Sequence, residues 1–188
     1  MKKLALLLVL APLYAHGLAP FGLDWGEDVS RYGEVKRQGD ELRVETHALP
    51  KSLSLANDYV LYADKQHGLL KVTMTSKIYG LYDDDYNQDF NFIKQSLMDS
   101  GYQTTEFISS EMSSYKCVLQ GSCSGKRWYG FVGDGTNVAL EQLAKTRQDA
   151  FIKLTFKAPK LLQIEAEREN LKQLKQQDQM NSDRLAFD

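Results

Sequence analysis

Residues 70–101 read LKVTMTSKIYGLYDDDYNQDFNFIKQSLMDSG, and this stretch decides the fold class. Over residues 70–78, apolar or small side chains alternate with Lys and Thr, which is typical of a strand with one buried face. After three consecutive aspartates the spacing changes to three and four, in Phe90, Ile93, Leu97 and Met98. A helix from about Tyr86 to Ser100 is therefore predicted, with the acids at its positive end and Gly101 as its C-terminal cap.

Strand-like segments flank this strand–helix unit on both sides. Residues 42–48 and 58–63 precede it, and the composition of residues 64–68 predicts a hairpin loop. A strand over 102–108 is expected after the helix, followed by a hairpin around Gly133, Asp134, Gly135 and Thr136 and a last strand over 152–156. Near the start, Phe21, Leu23 and Trp25 alternate and predict a short strand, with Trp25 in the core.

Together these patterns predict an α+β fold, with a largely antiparallel sheet of about six or seven strands, one packed central helix and a C-terminal helix. The order of strand, meander, helix and second meander resembles, in architecture only, small periplasmic binding or inhibitor modules. We expect residues 18–159 to form a single domain, because about 170 residues of ordinary apolar content can bury one core.

The C-terminal segment, residues 160–188, is rich in Leu, Glu, Lys and Gln and predicts a helix with a frayed tail, losing its order before Met180. Its apolar stripe is thin and is interrupted at Arg168. The favoured interpretation is that Leu161 and Ile164 pack the helix on its own domain. The alternative is that its distal half, from Leu171 onward, pairs with another helix.

Residues 1–17 have the three parts of a cleavable signal peptide. Lys2 and Lys3 supply the positive start, and the apolar run that follows is shorter than the roughly 20 residues that cross a bilayer. Cleavage after Ala15 or after Gly17 satisfies the preference for small residues. We therefore expect a periplasmic or secreted protein, with no stable membrane insertion once the signal is removed and no lipid anchor, since no cysteine lies near the cleavage site.

Charge and cysteine content agree with export. Loss of Lys2 and Lys3 takes the net charge from -2 to -4, and an acidic surface argues against a nucleic-acid partner. The two cysteines, Cys117 and Cys123, enclose a short loop with Gly121 at its turn. An oxidising compartment favours a local disulfide between them, worth on the order of 2 kcal/mol.

Three features of the sequence suggest a catalytic or metal site, but each lacks residues that such a site needs. Asp83, Asp85, Asn87 and Asp89 alternate as in a calcium loop, but Gln88 and Lys94 stand where that loop needs Gly and Glu. A nucleophile elbow around Cys123 lacks the buried strand that precedes such a turn. His47 and His67 have no partner at metal-ligand spacing, so we expect no metal and no cofactor.

The candidate binding surface is the corner where aromatic residues meet acids, formed by Tyr79, Tyr82, Asp83, Asp84, Asp85 and Tyr86. Tyrosines and carboxylates suit recognition of a basic protein surface. The sequence thus favours a non-enzymatic protein-binding module of the envelope, such as an inhibitor, an immunity protein or an accessory factor. A hydrolase using carboxylates and a carrier of a small ligand are the alternatives, and a sizeable apolar cavity would favour the carrier.

Overall fold

The computed structural model describes residues 17–81, 83–110 and 124–185, which contain nine strands, two helices and two short 3-10 turns. The strands are β1 Val35–Gln38, β2 Glu41–Thr46, β3 Ala56–Asp64, β4 Gly68–Ser76, β5 Tyr79–Gly80, β6 Gln103–Ile108, β7 Ser124–Phe131, β8 Asn137–Ala144 and β9 Asp149–Lys157. The helices are α1, Asp84–Asp99, and α2, Pro159–Leu185. The α+β prediction is confirmed, with more strands than the sequence predicted.

All nine strands belong to one antiparallel sheet, which is built from two meanders. The order is β1-β2-β3-β4-β9-β8-β7-β6, so β4 and β9 join an N-terminal meander to a C-terminal one. The hairpins expected near residues 64–68 and 133–136 are both present. Because β1 and β6 are the two ends of the order, the sheet does not close through these strands.

One face of the sheet is buried and the other is polar. Along β3, β4, β8 and β9 every second side chain is buried, as in Tyr59, Val72, Leu140 and Leu154, and the residues between them are partly exposed. Helix α1 packs against β5, β8 and β9. It contributes to the core the buried side chains of Tyr86, Phe90, Ile93 and Leu97.

Helix α1 closely follows its sequence prediction. It begins at Asp84, ends at Asp99 and is followed by Gly101 with a φ of 92°, a left-handed conformation that suits glycine. Asp84 and Asp85 lie in its first turn, where the helix dipole favours negative charge.

The short strand predicted at Phe21, Leu23 and Trp25 is wrong. Pro20–Gly22 is a 3-10 turn, and Phe21 itself has a left-handed φ of 61°. The Phe21 ring packs edge-on against Tyr59 and Phe156, with centroids 5.0 and 5.7 Å away, and Leu23 and Trp25 are buried. The alternating pattern therefore correctly indicated that these side chains face the core. It did not indicate a strand, because packing against the core holds the segment in a turn.

The additional strands carried no periodic signal. β1 is an edge strand whose side chains are mostly exposed, and Val35 is its single apolar residue, so it shows no alternation. β5 has two residues and exists because β4 leaves β9 after Thr75 and the chain returns to pair Tyr79 with Ala150. Between these two paired regions the Ser76 hydroxyl accepts a 2.8 Å hydrogen bond from the backbone N–H of Ile152 in β9.

Helix α2 packs through its first two turns only. Leu161 and Ile164 are partly buried against the core, and Lys157 of β9 forms an ion pair with Glu165 at 2.9 Å. The helix continues to Leu185, beyond the point where the sequence predicted fraying, and its side chains are exposed from Glu167 to Met180. No helix within the described ranges is long and apolar enough to cross a membrane.

Candidate functional site

The candidate binding surface, which we call the acidic corner, lies at a tight turn between β5 and α1. The backbone N–H of Gly80 donates to Asp83 Oδ2 at 2.7 Å, and the N–H of Asp83 donates to the carbonyl of Gly80 at 3.0 Å. A Cβ at position 80 would lie 2.8 Å from both carboxylate oxygens of Asp83, so glycine permits this close approach. Tyr82, also predicted to belong to the binding surface, lies outside the described residues.

The side chains of Tyr79 and Tyr86, on either side of this turn in the sequence, pack in the core. Both are buried, and their rings pack on one another with centroids 5.3 Å apart. The Tyr79 hydroxyl donates to Asp89 Oδ2 at 2.8 Å, and the Tyr86 hydroxyl donates to the carbonyl of Phe151 at 3.3 Å. Burial raises the pKa of both phenols well above the ordinary value, with Asp89 adding to the rise for Tyr79.

The corner therefore offers carboxylates to solvent and keeps these two rings inside. Asp83, Asp84 and Asp85 are exposed. The other two residues of the alternating run are engaged within the protein, because Asp89 accepts from Tyr79 and the amide oxygen of Asn87 accepts from Lys126 at 2.9 Å. No cluster of metal-ligating residues occurs among the described residues.

A concave feature lies elsewhere, at the end of the sheet that carries the β3–β4 and β7–β8 hairpins. It is a half-open cleft of about 800 Å³, bordered by the N-terminal segment, these two hairpins and the start of α2. Its apolar lining comes from Trp25, Leu69, Leu70, Ala158 and Pro159.

Charged and polar groups also border the cleft. They are His67 and Gln66 from the β3–β4 hairpin, Asp134 from the β7–β8 hairpin and Lys160 from the first turn of α2. The Asp134 Oδ1 atom accepts from the backbone N–H of Thr136 at 2.8 Å, which fixes the carboxylate. The cleft thus combines a mainly apolar interior with a fixed carboxylate, Asp134, and an exposed ammonium group, Lys160, at its border.

Backbone pairing holds the N-terminal wall of the cleft in place. The N–H of Gly26 donates to the carbonyl of Leu69, and the N–H of Leu69 donates to the carbonyl of Glu27, both at 2.9 Å. The indole N–H of Trp25 donates to Thr136 Oγ1 at 3.1 Å. These bonds tie three segments that are distant in sequence into one wall, so the cleft is a fixed part of the fold.

Sequence reasoning missed this cleft. It assigned Trp25 to the core, and the side chain is indeed only 6% exposed, but its remaining surface borders the cleft. His67 and Asp134 were attributed to hairpin turns, and nothing in the sequence indicates that the two turns lie at the same border. The only available signal was that both turns carry ionisable residues.

The predicted disulfide cannot be placed against this site, because Cys117 and Cys123 lie outside the described residues. His47, the other described histidine, directly follows the last residue of β2. Its side chain is exposed, and its Nδ1 atom lies 3.0 Å from the carbonyl oxygen of Asn57. Comparison with known proteins gives no match among family models, curated proteins or solved structures. The function is therefore argued from the geometry of this chain alone.

Proposed function

We propose that the chain is an exported, non-catalytic binding protein that holds a small, largely apolar molecule in the cleft beside Trp25. The observation that supports this proposal is a half-open cleft of about 800 Å³ with an apolar lining. Sites for small ligands have volumes of roughly 300–1,000 Å³ and combine an apolar lining with a few fixed polar groups.

The lining also indicates the chemical class of the ligand. Pro159, which is partly exposed, and the remaining exposed surface of Leu70 and Trp25 offer apolar contacts for a ring or a short chain. Asp134 and Lys160 can receive a cationic or an anionic end group at the border. An amphipathic molecule, with an apolar body and one polar end, fits both features.

Binding of a neutral apolar fluorophore, N-phenyl-1-naphthylamine, tests the proposal. The chain has two tryptophans, of which Trp25 borders the cleft and Trp128 is fully buried and bonded to Thr104. In a Trp128→Phe variant, which keeps only Trp25, we expect saturable quenching of tryptophan emission as the probe binds. In the matched Trp25→Phe variant we expect little quenching of Trp128.

The two variants also reveal a negative result. Equal quenching of Trp25 and Trp128 would indicate non-specific adsorption, and no saturable binding by either variant would contradict a ligand site in the cleft. Circular dichroism of both variants controls for loss of the fold.

A second candidate function is recognition of a basic protein surface by the acidic corner. Exposure of Asp83, Asp84 and Asp85 on a turn held by hydrogen bonds and buried rings favours it. The matching partner is a surface rich in Lys or Arg, and the attraction would weaken with salt. The enzymatic alternative, a hydrolase using carboxylates, has no specific observation in its favour within the described ranges.

Charge-matched variants separate the second candidate from a general charge effect. Asp83→Asn, Asp84→Asn and Asp85→Asn together remove three charges from the corner. The control, Glu167→Gln, Glu169→Gln and Asp178→Asn, removes three exposed charges from α2. We expect only the first set to abolish capture of a stoichiometric partner from an envelope extract. Equal capture by both sets would contradict recognition at the corner.

A further inference from the structure

We propose that export processing cuts the chain between Ala15 and His16, so that Gly17 stays in the mature protein as part of the folded domain. The sequence permits cleavage after Ala15 or after Gly17, since both leave a small residue before the cut. The hydrogen bonds of the first described residues favour the earlier site.

Gly17 is already paired within the domain. Its carbonyl oxygen accepts a 2.9 Å hydrogen bond from the backbone N–H of Trp25. Leu18 forms an antiparallel bridge with Asp24, and the N–H of Ala19 donates to the carbonyl of Leu23 at 2.9 Å. Residues 17–25 thus form a closed clip whose first hydrogen bond is made by Gly17.

Cleavage after Gly17 would disrupt this clip. It would remove the carbonyl that accepts from Trp25 and leave a protonated amino group on Leu18, which replaces an acceptor with a donor beside the Trp25 N–H. Cleavage after Ala15 leaves the carbonyl in place.

The surroundings of Gly17 agree with its retention. Oδ2 of Asp134 lies 3.9 Å from the position that a Cβ of Gly17 would take. Cδ1 of Trp25 lies 3.7 Å from the same position, so Gly17 has neighbours from two other parts of the folded domain.

The cleavage position also affects the cleft, because Gly17 forms part of its wall. This consequence rests on the proposed ligand binding, whereas the cleavage position rests only on the export that is part of the same proposal. A chain that begins at His16 keeps the whole N-terminal wall, and a chain that begins at Leu18 lacks part of it.

Intact mass of the protein exported with its own leader tests the cleavage position directly. The full chain is expressed in a bacterium with a periplasm, and the periplasmic fraction is analysed by mass spectrometry. We expect the mass of residues 16–188. The mass of residues 18–188, any other start, or an uncleaved chain would overturn the proposal.

Three mature chains with different first residues test whether the hydrogen bond of the Gly17 carbonyl stabilises the fold. Mature chains beginning at His16, Gly17 and Leu18 are released from a cleavable fusion and compared by thermal unfolding. The His16 and Gly17 forms should melt together, and the Leu18 form should melt about 2–4 °C lower, because it alone lacks the Gly17 carbonyl.

Equal melting of the Gly17 and Leu18 forms would overturn the argument from the clip. Titration of the His16 form with N-phenyl-1-naphthylamine keeps the two proposals apart. A His16 start without probe binding would contradict the ligand proposal alone, and probe binding with a Leu18 start would contradict the cleavage proposal alone.

Discussion

The indole Nε1 of Trp25 donates a buried 3.1 Å hydrogen bond to the hydroxyl of Thr136, a residue 111 positions further along the chain. Trp25 belongs to the N-terminal clip, and Thr136 closes the β7–β8 hairpin beside Asp134. This contact therefore joins two walls of the cleft.

A double-mutant cycle measures that contact. Trp25→Phe and Thr136→Val should each lower the free energy of unfolding, and the double variant should lose about 1 kcal/mol less than the sum of the two. Urea unfolding followed by circular dichroism gives the values. Trp25→Phe combined with Thr104→Val is the control, because Thr104 bonds Trp128 instead, and these two effects should add. Coupling of the control pair as large as that of the test pair would contradict a direct bond.

Gly68 is expected to tolerate no side chain. Its φ is 62°, and an added Cβ would lie 2.0 Å from the carbonyl oxygen of Gly26, which belongs to the cleft wall. Gly68→Ala should cost more than about 3 kcal/mol or prevent folding. Gly39 has a φ of 64° but no atom within 4 Å, so Gly39→Ala should cost only about 1 kcal/mol. Thermal unfolding of the pair checks this, and similar costs would contradict the close approach.

The two halves of α2 should respond differently to truncation of an apolar side chain. Ile164 is partly buried against the core, and Leu171 is 57% exposed. Ile164→Ala should lower the free energy of unfolding by about 1–2 kcal/mol, and Leu171→Ala by less than about 0.5 kcal/mol. Denaturant unfolding gives both values. A large effect of Leu171→Ala that depends on protein concentration would instead support pairing of the distal half with another helix.

Stability should fall between about pH 10 and pH 12 as tyrosines titrate. Burial, reinforced by the Asp134 carboxylate, raises the pKa of Tyr102 to about 12. Because this value exceeds the ordinary pKa of about 10, the unfolded chain loses its proton first, so stability present below pH 10 is lost as pH rises toward 12. Tyr102→Phe should lose less stability over this window.

Urea unfolding at pH 9 and pH 11 measures the tyrosine effect, and absorbance near 295 nm follows ionisation in the folded state. Asp134→Asn should move the ionisation of Tyr102 to slightly lower pH, because a neighbouring negative charge is removed. An unchanged loss of stability in Tyr102→Phe would assign the alkaline transition to other groups.

Much of the fold could be predicted from local pattern. The alternation over residues 70–76 and the three–four spacing in α1 each report which side of an element meets the core, and the structure confirms both. These predictions succeed because side-chain direction repeats with a period fixed by the backbone. The last part of the predicted alternation is wrong, because β4 ends at Ser76 and Ile78 is exposed. The prediction at Phe21 failed because alternation reports burial, and a turn packed on Tyr59 buries the same residues.

The candidate acidic corner was only partly predictable. Its residues all lie between positions 79 and 86, so they must be close in space. The sequence does not show, however, which side chains point into the core and which point into solvent. The side chains of Tyr79 and Tyr86 point inward, where their hydroxyls donate hydrogen bonds to Asp89 and to the carbonyl of Phe151.

By itself the sequence determined the class of fold, the central helix and the expectation of export, because each follows from the composition or period of one continuous segment. Only the tertiary structure decided the pairing of β4 with β9 and the cleft that follows from it. Trp25, His67, Asp134 and Pro159 become neighbours through contacts between segments far apart in the chain. Such contacts depend on the free energy of packing the whole core, and no local pattern of residues encodes them.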